Sequence, residues 1–307
     1  MKPSLARLPR SARQVIALAR ETASERSERL FLAGGVVRDL LLARPIHDVD
    51  LVLEGDVAAF ARRLAPRLDA SVRHHERFAT AMLRLSDGGA LDVAATRRET
   101  YPVPGALPSV VPGAPIEVDL ERRDFAINAM AMELGPRPRL LDPLGGREDL
   151  ARGVVRALHP ESFRDDPTRA FRAVRYGNRL GFRIEPSTGR WLRGALVSGG
   201  LDRLSADRLR RELRLLFQEP GRAGAVGRLQ SLAIDLAIDP ALHRRQGATV
   251  RLRRAERLAG AAGASWLCYL LSWMGTAGQR EAGGVALRLG LSGAEGRRLL
   301  AWPETTS

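Results

Sequence analysis

Asp48 and Asp50 stand two residues apart in His47-Asp48-Val49-Asp50-Leu51-Val52-Leu53. On an extended strand this spacing puts both carboxylates on one face and turns Val49 and Leu51 to the other. Two carboxylates side by side repel each other unless a cation lies between them, and Mg²⁺ is the usual one. Two Mg²⁺ held in this way can activate an attacking hydroxyl and neutralise a leaving pyrophosphate. Solvated acids at a polar strand end are the competing account of a bare Asp-X-Asp. Gly34-Gly35, thirteen residues upstream, favours the site. Between a strand and a helix such a pair lets backbone approach a ligand and leaves N–H groups that suit a phosphate. Asp92, an acid in the apolar run Ala90-Leu91-Asp92-Val93, is a candidate third ligand or the base for the attacking hydroxyl.

Two further clusters carry charge in a pattern. In Glu121-Arg122-Arg123-Asp124-Phe125-Ala126-Ile127-Asn128-Ala129-Met130, Arg123 offers a planar donor fork to phosphate and Asp124 can accept from a ribose hydroxyl. Taken alone, this segment is better explained by an Arg–Asp surface pair capping a helix from near Phe125. In Asp165-Asp166-Pro167-Thr168-Arg169-Ala170-Phe171-Arg172-Ala173-Val174-Arg175, Asp166 reads as an N-cap and Pro167 as the first helical residue. At about 100° per residue, Asp165, Asp166, Arg169, Arg172, Arg175 and Arg179 share about half of the helix, and Phe171, Val174 and Leu180 share the rest. An Asp and an Arg one turn apart present acceptors and donors to a base edge, and the arginines beyond them can hold a triphosphate. A salt-bridged amphipathic helix is the alternative. Four arginines against two acids leave this row short of negative charge, which predicts a bound anion.

The elements that position these residues follow from periodicity. Residues 4–30 read as an exposed helix, 29–33 as a buried strand running into Gly34-Gly35, and 36–43 as a helix stopped by Arg44-Pro45. Residues 47–53 read as a strand, 57–68 as a helix, and 80–85 and 90–94 as strands around Asp87-Gly88-Gly89. The stretch 99–116 carries five of the 18 prolines and is predicted to be a loop. Regular structure resumes over 119–134. From Pro160 onward only helices are predicted, at 166–180, 187–196, 205–217 and 221–236 and then to the end. No internal repeat or low-complexity tail interrupts this order.

Composition narrows the class. The chain has 307 residues, of which 45% are hydrophobic and 27% charged, so it can bury a core and disorder is excluded as its main state. A single cysteine, Cys268, excludes an intramolecular disulfide framework and a Cys-cluster zinc site. No apolar run reaches the ~18 residues a membrane span needs. Met1-Lys2-Pro3-Ser4 lacks the apolar core of a secretory signal, so the cytoplasm is the expected compartment. Residues 1–150 carry 22 Lys and Arg against 21 Asp and Glu, a net +1, whereas 151–307 carry 27 against 14, a net +13. Lys2 is the only lysine, and codon bias accounts for arginine over lysine. It does not account for one neutral half and one basic half, which predict a polyanionic partner for the C-terminal half.

In their order along the chain, Gly34-Gly35-Val36-Val37-Arg38-Asp39, Asp48-Val49-Asp50, Arg122-Arg123-Asp124-Phe125-Ala126-Ile127-Asn128-Ala129, Asp142-Pro143-Leu144-Gly145-Gly146 and Asp165-Asp166-Pro167-Thr168-Arg169 resemble the class II tRNA nucleotidyltransferases, the family of bacterial CCA-adding enzymes and poly(A) polymerases. The resemblance covers about residues 30–235. It implies an α+β protein: a polymerase-β-like nucleotidyltransferase head with a small mixed sheet (1–150), then an all-helical neck (151–220) and body (221–307). It implies that Asp48 and Asp50 hold two Mg²⁺, with Asp92 as the third catalytic carboxylate. Gly34, Gly35 and Arg38 would meet the triphosphate, and Arg123, Asp124 and Asn128 the nucleotide sugar and phosphates. Asp166 and Arg169 would read the base edge, with Arg172 and Arg175 beside them on the triphosphate.

The implied reaction is template-independent addition of C and/or A, from CTP and ATP, to the 3′ end of tRNA, with release of pyrophosphate. A poly(A) tail on other RNA, or an inactive RNA-binding module, are the rivals. The presence of Asp48, Asp50, Asp92 and Arg123 together argues against the inactive module. Three departures from the family pattern stand out. Asp165-Asp166 replaces the usual Glu-Asp. The Pro-rich loop between Asp92 and Arg123 lacks an Arg-Arg-Pro element, which leaves open whether CC, A or CCA is added. The chain stops at Ser307, short of typical members, so a reduced RNA-gripping part is expected. His243 stands alone, without a phosphohydrolase-type Asp partner.

Overall fold

The structure, a computed structural model, describes residues 3–46, 49–243, 246–260 and 263–301. The chain divides into two compact units. The first comprises Met1–Pro102, Pro108–Arg152 and Arg156–Leu158, and the second comprises Val103–Leu107, Gly153–Val155 and His159–Ser307.

The first unit runs α1 (Arg10–Ser24), β1 (Arg29–Ala33), α2 (Gly35–Leu41), β2 (Asp50–Glu54), α3 (Val57–Arg67), β3 (Ala70–His75), β4 (Thr80–Leu85), β5 (Ala90–Ala95), β6 (Arg97–Thr100), β7 (Ser109–Pro112), α4 (Ile116–Glu121), β8 (Ala131–Glu133), β9 (Arg139–Leu141) and α5 (Gly146–Arg152). Seven strands form one mixed sheet in the order β3-β4-β5-β2-β1-β8-β9. Its one parallel pairing among the described residues joins β2 to β5. Alternation along the strands splits the core between the two faces. Phe31, Ala33, Val52 and Ala131 pack with Ile116 and Leu120 of α4. Leu51 and Leu53, one residue out of phase, are fully buried on the other side. Helices α1 and α3 pack on each other, α1 against β1 and α3 against β3, β4 and β5.

Several expectations need correction here. The helix predicted over 4–30 is a short 3₁₀ turn (Leu5–Arg7) followed by α1, and Ile16, Ala19 and Ala23 bury one face of it. Strand β3 was not expected, because Ser71-Val72-Arg73-His74-His75 is an edge strand with little burial to mark it. The Pro-rich stretch is not all loop. β6 and β7 pair antiparallel, with Pro112 at the end of a two-stranded ribbon where its missing N–H disturbs no central ladder. The strand predicted from His47 begins at Asp50, and His47 and Asp48 lie outside the described residues.

The second unit holds β10 (Val154–Val155), α6 (Ser162–Asp165), α7 (Arg169–Leu180), β11 (Arg183–Ile184), α8 (Pro186–Val197), α9 (Ala206–Gln218), α10 (Arg222–Ser231), α11 (Ile234–Ile238), α12 (Pro240–His243), α13 (Ala248–Ala259), α14 (Trp266–Met274), α15 (Gln279–Arg288) and α16 (Gly293–Ala301). It is helical apart from the two-residue parallel pair β10–β11, a small departure from the helix-only expectation. Phe171 and Val174 of α7, Leu209, Leu213 and Phe217 of α9, and Tyr269 and Trp273 of α14 are buried. Phe217 stacks on Tyr269 at 5.9 Å and meets Trp273 edge-on at 6.3 Å. His243 is not alone: its Nδ1 lies 3.1 Å from the carboxylate of fully buried Asp235, eight residues earlier and one helix away. No helix among the described residues is long and apolar enough to cross a membrane.

Candidate active site

Asp50 and Asp92 face each other across the β2–β5 pair, in register and both exposed. Strands in a sheet lie about 4.8 Å apart, and in-register neighbours point to the same side. The two carboxylates therefore stand abreast beyond the buried run that starts at Leu51 and Val93. Oxygen donors so placed suit a hard divalent cation. Asp48, the expected partner ligand, lies outside the described residues. Among the described residues no group of three His, Cys, Asp or Glu gathers as a metal cluster.

Beside β1, the backbone at Gly34 adopts φ +81° and ψ −132°. A Cβ there would lie 2.5 Å from Arg123 Nη1 and 3.7 Å from the Asn128 carbonyl oxygen. Only glycine lets the turn and the guanidinium come this close. Gly34 N donates to the Met130 carbonyl at 3.0 Å, which ties the turn to the segment carrying Arg123, Asp124 and Asn128. A chain of hydrogen bonds then links the expected residues. Asn128 Nδ2 donates to Asp124 Oδ1 at 3.0 Å, and Arg38 Nη1 donates to Asn128 Oδ1 at 2.7 Å. Arg38 also forks onto the Asp39 carboxylate at 2.9 and 2.8 Å. At 3% exposed, Arg38 is a buried organiser of the turn. Asp124 is capped in turn by the Phe125 N–H at 2.8 Å. The Asp142-Pro143-Leu144-Gly145-Gly146 motif supports this segment from below. Asp142 accepts from Gly146 N and Arg147 N at 2.6 and 3.0 Å, and a Cβ on Gly146 would run into the Ala126 carbonyl oxygen at 2.3 Å. The structure thus brings Gly34, Arg38, Arg123, Asp124 and Asn128 together.

In the second unit the expected N-cap Asp166 and first helical residue Pro167 lie before the helix: α6 ends at Asp165, and α7 starts at Arg169 with Thr168 as its N-cap. Asp166 Oδ1 accepts from Thr168 N at 3.0 Å, Thr168 Oγ1 at 2.6 Å and Arg208 Nη2 at 2.8 Å. Arg208 also donates to the Gly105 carbonyl, and Gly105 N donates to the Arg164 carbonyl at 3.1 Å. Neither Arg208 nor Gly105 was expected at this carboxylate. One is a further arginine in a basic helix and the other a loop glycine over sixty residues upstream of Asp166, so nothing local marks them. Arg169 is 4% exposed and donates to Ser162 Oγ at 2.7 Å. Arg172 reaches the Tyr176 hydroxyl at 3.3 Å. Burial and the Arg169 charge push His159 down, and burial pushes Asp165 up.

The expected shortage of negative charge along α7 does not hold. Arg175 pairs with Glu219 at 3.2 Å and Glu212 at 3.5 Å, and Arg179 pairs with Glu219. Both acids belong to the α9 segment and are invisible to a count made along α7. Burial pushes the Glu212 carboxyl up despite Arg175. Burial also opposes charge on Glu219, but hydrogen bonds and charge from Arg179 and Arg175 outweigh it and hold that carboxyl low.

The fold and these residues define a nucleotidyltransferase head followed by a helical C-terminal region. Residues 30–156 match the poly A polymerase head domain family. An A-adding tRNA nucleotidyltransferase from Halalkalibacterium halodurans is 41% identical over 218 residues, 70% of this chain and 51% of that protein. A CC-adding tRNA nucleotidyltransferase from Deinococcus radiodurans is 38% identical over 202 residues, 65% of this chain and 52% of that protein. A solved CCA-adding enzyme structure, apo form II, superposes with a TM-score of 0.87 at 31% identity, covering 98% of this chain and 73% of its own. The chain belongs to the class II tRNA nucleotidyltransferase family. It spans about half the length of these two curated relatives.

Proposed function

We propose that this chain adds C and/or A, from CTP and ATP, to the 3′ end of tRNA without a template, releases pyrophosphate, and works in the cytoplasm where those substrates lie. The observation that carries the reading is the in-register pairing of Asp50 with Asp92 on parallel strands, in the same unit as the Gly34–Arg123 turn. Residues 1–150 serve as the catalytic head, 151–220 as the neck that reads the base and 221–307 as the RNA-binding body.

In this reaction the terminal ribose hydroxyl attacks the α-phosphorus in line, and the bond to the β-phosphate oxygen breaks. Mg²⁺ held by Asp48 and Asp50 would acidify that hydroxyl and neutralise the leaving pyrophosphate. Asp92 completes the carboxylate set or takes the hydroxyl proton. Gly34 and Gly35 let backbone close on the phosphates, with Arg38 holding the turn. Arg123, Asp124 and Asn128 orient the sugar and phosphates. Asp166 and Arg169 offer acceptor and donor to the base edge, a pattern that suits the exocyclic amino groups shared by C and A. Arg172 lies next on the triphosphate, whereas Arg175 would reach it only by leaving Glu212 and Glu219.

The test is incorporation of labelled CTP and ATP, separately, into tRNAs ending before CCA, after C and after CC. One to three added residues are expected. A long ladder makes the chain a poly(A) polymerase, and RNA retention without any incorporation makes it a binding module. Asp50→Ala and Asp92→Ala should each lower incorporation about a thousandfold or more with the melting temperature kept. Turnover close to wild type in either variant overturns the reading.

A further inference from the structure

Asp119 sits in α4, four residues before Arg123, and its side chain is fully buried. A buried carboxylate needs partners, and this one has them on both oxygens. Oδ1 accepts from Arg97 N at 3.2 Å and from Arg122 Nε at 2.9 Å, with Arg122 Nη2 at 2.8 Å. Oδ2 accepts from Arg123 Nη2 at 2.9 Å. We propose that Asp119 is a positioning residue for the nucleotide: one oxygen staples the β6–β7 ribbon to α4, and the other pins the Arg123 guanidinium over Gly34 before the nucleotide arrives. Arg123 enters here as the nucleotide ligand proposed above.

Three observations separate this role from simple scaffolding. Arg122 has a second carboxylate, Glu99, at 2.8 Å, so it does not depend on Asp119 alone. Among the described residues Asp119 is the only acid paired with Arg123. Arg123 Nε is buried without a hydrogen-bond partner, and Nη1 lies against the Gly34 turn. The guanidinium is therefore held by one arm, Nη2, with Nη1 turned to the glycine turn that a phosphate would approach. Burial alone would push the Asp119 carboxyl up, but the flanking Arg123 and Arg122 charges more than reverse this and keep it ionised.

Asp119→Asn tests the division of labour. Three donors converge on Oδ1, so the remaining amide oxygen settles there. The NH₂ group then meets Arg123 Nη2, donor to donor. The full chain is compared with Asp119→Asn, Arg123→Ala and the double variant, by equilibrium binding of CTP and of ATP with Mg²⁺ and by incorporation kinetics on tRNA lacking its 3′ end. Nucleotide Kd and KM should rise about tenfold in Asp119→Asn, with kcat changed less than about threefold. In the Arg123→Ala background the same substitution should change Kd less than about twofold. Unchanged Kd in Asp119→Asn, unchanged Kd in Arg123→Ala, or the full tenfold effect without Arg123, each overturns the role. Where Asp119→Asn fails to fold, Arg123→Lys keeps the charge but loses the fork. A tenfold rise in its Kd supports the role, and wild-type Kd overturns it. Wild-type protein that binds nucleotide without incorporating it refutes the proposed function, while the same Kd comparison still decides the role of Asp119.

Discussion

Gly34 carries two constraints that act together. Its backbone lies in a region that only glycine visits cheaply, at a cost of about 1–3 kcal/mol for another residue. Its missing Cβ also makes room for Arg123, which cannot swing away while Asp119 holds it. Gly34→Ala should therefore lower stability by about 2 kcal/mol and weaken CTP and ATP binding in parallel. Wild-type melting and wild-type binding together would show that the guanidinium moves without cost. Residues such as Gly34, Asp50 and Asp92 could be picked out from sequence because their types are unusual for their places: a paired glycine after an apolar strand, acids inside apolar runs. Asp119 could not. In Glu117-Val118-Asp119-Leu120-Glu121 it reads as one of three alternating acids, and only the fold buries this one and leaves Glu117 and Glu121 at the surface.

Helix α7 shows why a face read from one element can mislead. Its apolar side was legible from 3.6-residue spacing, and Phe171 and Val174 are buried as that spacing requires. Its charged side looked unbalanced because Glu212 and Glu219 come from over thirty residues away in sequence. The expected Asp166 N-cap with Pro167 opening the helix is displaced, since α7 starts at Arg169 behind Thr168; Asp166 keeps a local bond from Thr168 N, but its second partner, Arg208, was not legible. Local signals survive folding, whereas pairings between elements are written only in the tertiary structure. Helix α8 offers a purely local test. Glu185 caps it by accepting from Thr188 N at 2.9 Å and from the Ser187 and Thr188 hydroxyls. Burial opposes the charge, but these hydrogen bonds win and hold the carboxyl at about 2. The folded value lies below the unfolded one, so the cap contributes fully above about pH 4.5 and is lost as pH falls toward 2. Glu185→Gln should cost about 1 kcal/mol at pH 7 and progressively less below pH 4. A melting difference that does not shrink in acid would assign the effect to packing.

For the molecule as a whole, the split of charge between a near-neutral half and a +13 half predicts how it meets RNA. That +13 is already net of Glu212 and Glu219, the acids that pair with Arg175 and Arg179 of α7. About four phosphate contacts would lower tRNA affinity about a hundredfold between 50 and 200 mM salt. Binding that barely changes over this range would make the charge split a compositional accident. The broad order, a mixed-sheet head then helices, was legible because the hydrophobic period changes from two to 3.6 near residue 150. The ribbon of β6 and β7 was hidden by prolines that mark loops far more often than strand ends.

Because Val103–Leu107 belongs with the second unit while its flanks belong with the first, the two bodies are not consecutive pieces of chain. Gly105 shares Arg208 with Asp166 and bonds the Arg164 backbone. A fragment expressed from residue 153 onward would lack the carbonyl that occupies one arm of Arg208, and a fragment ending at 152 would carry an orphaned proline-rich excursion. No single scission yields two faithful halves, and joining the ends and cutting elsewhere would not help, because pieces of the two units alternate along the chain.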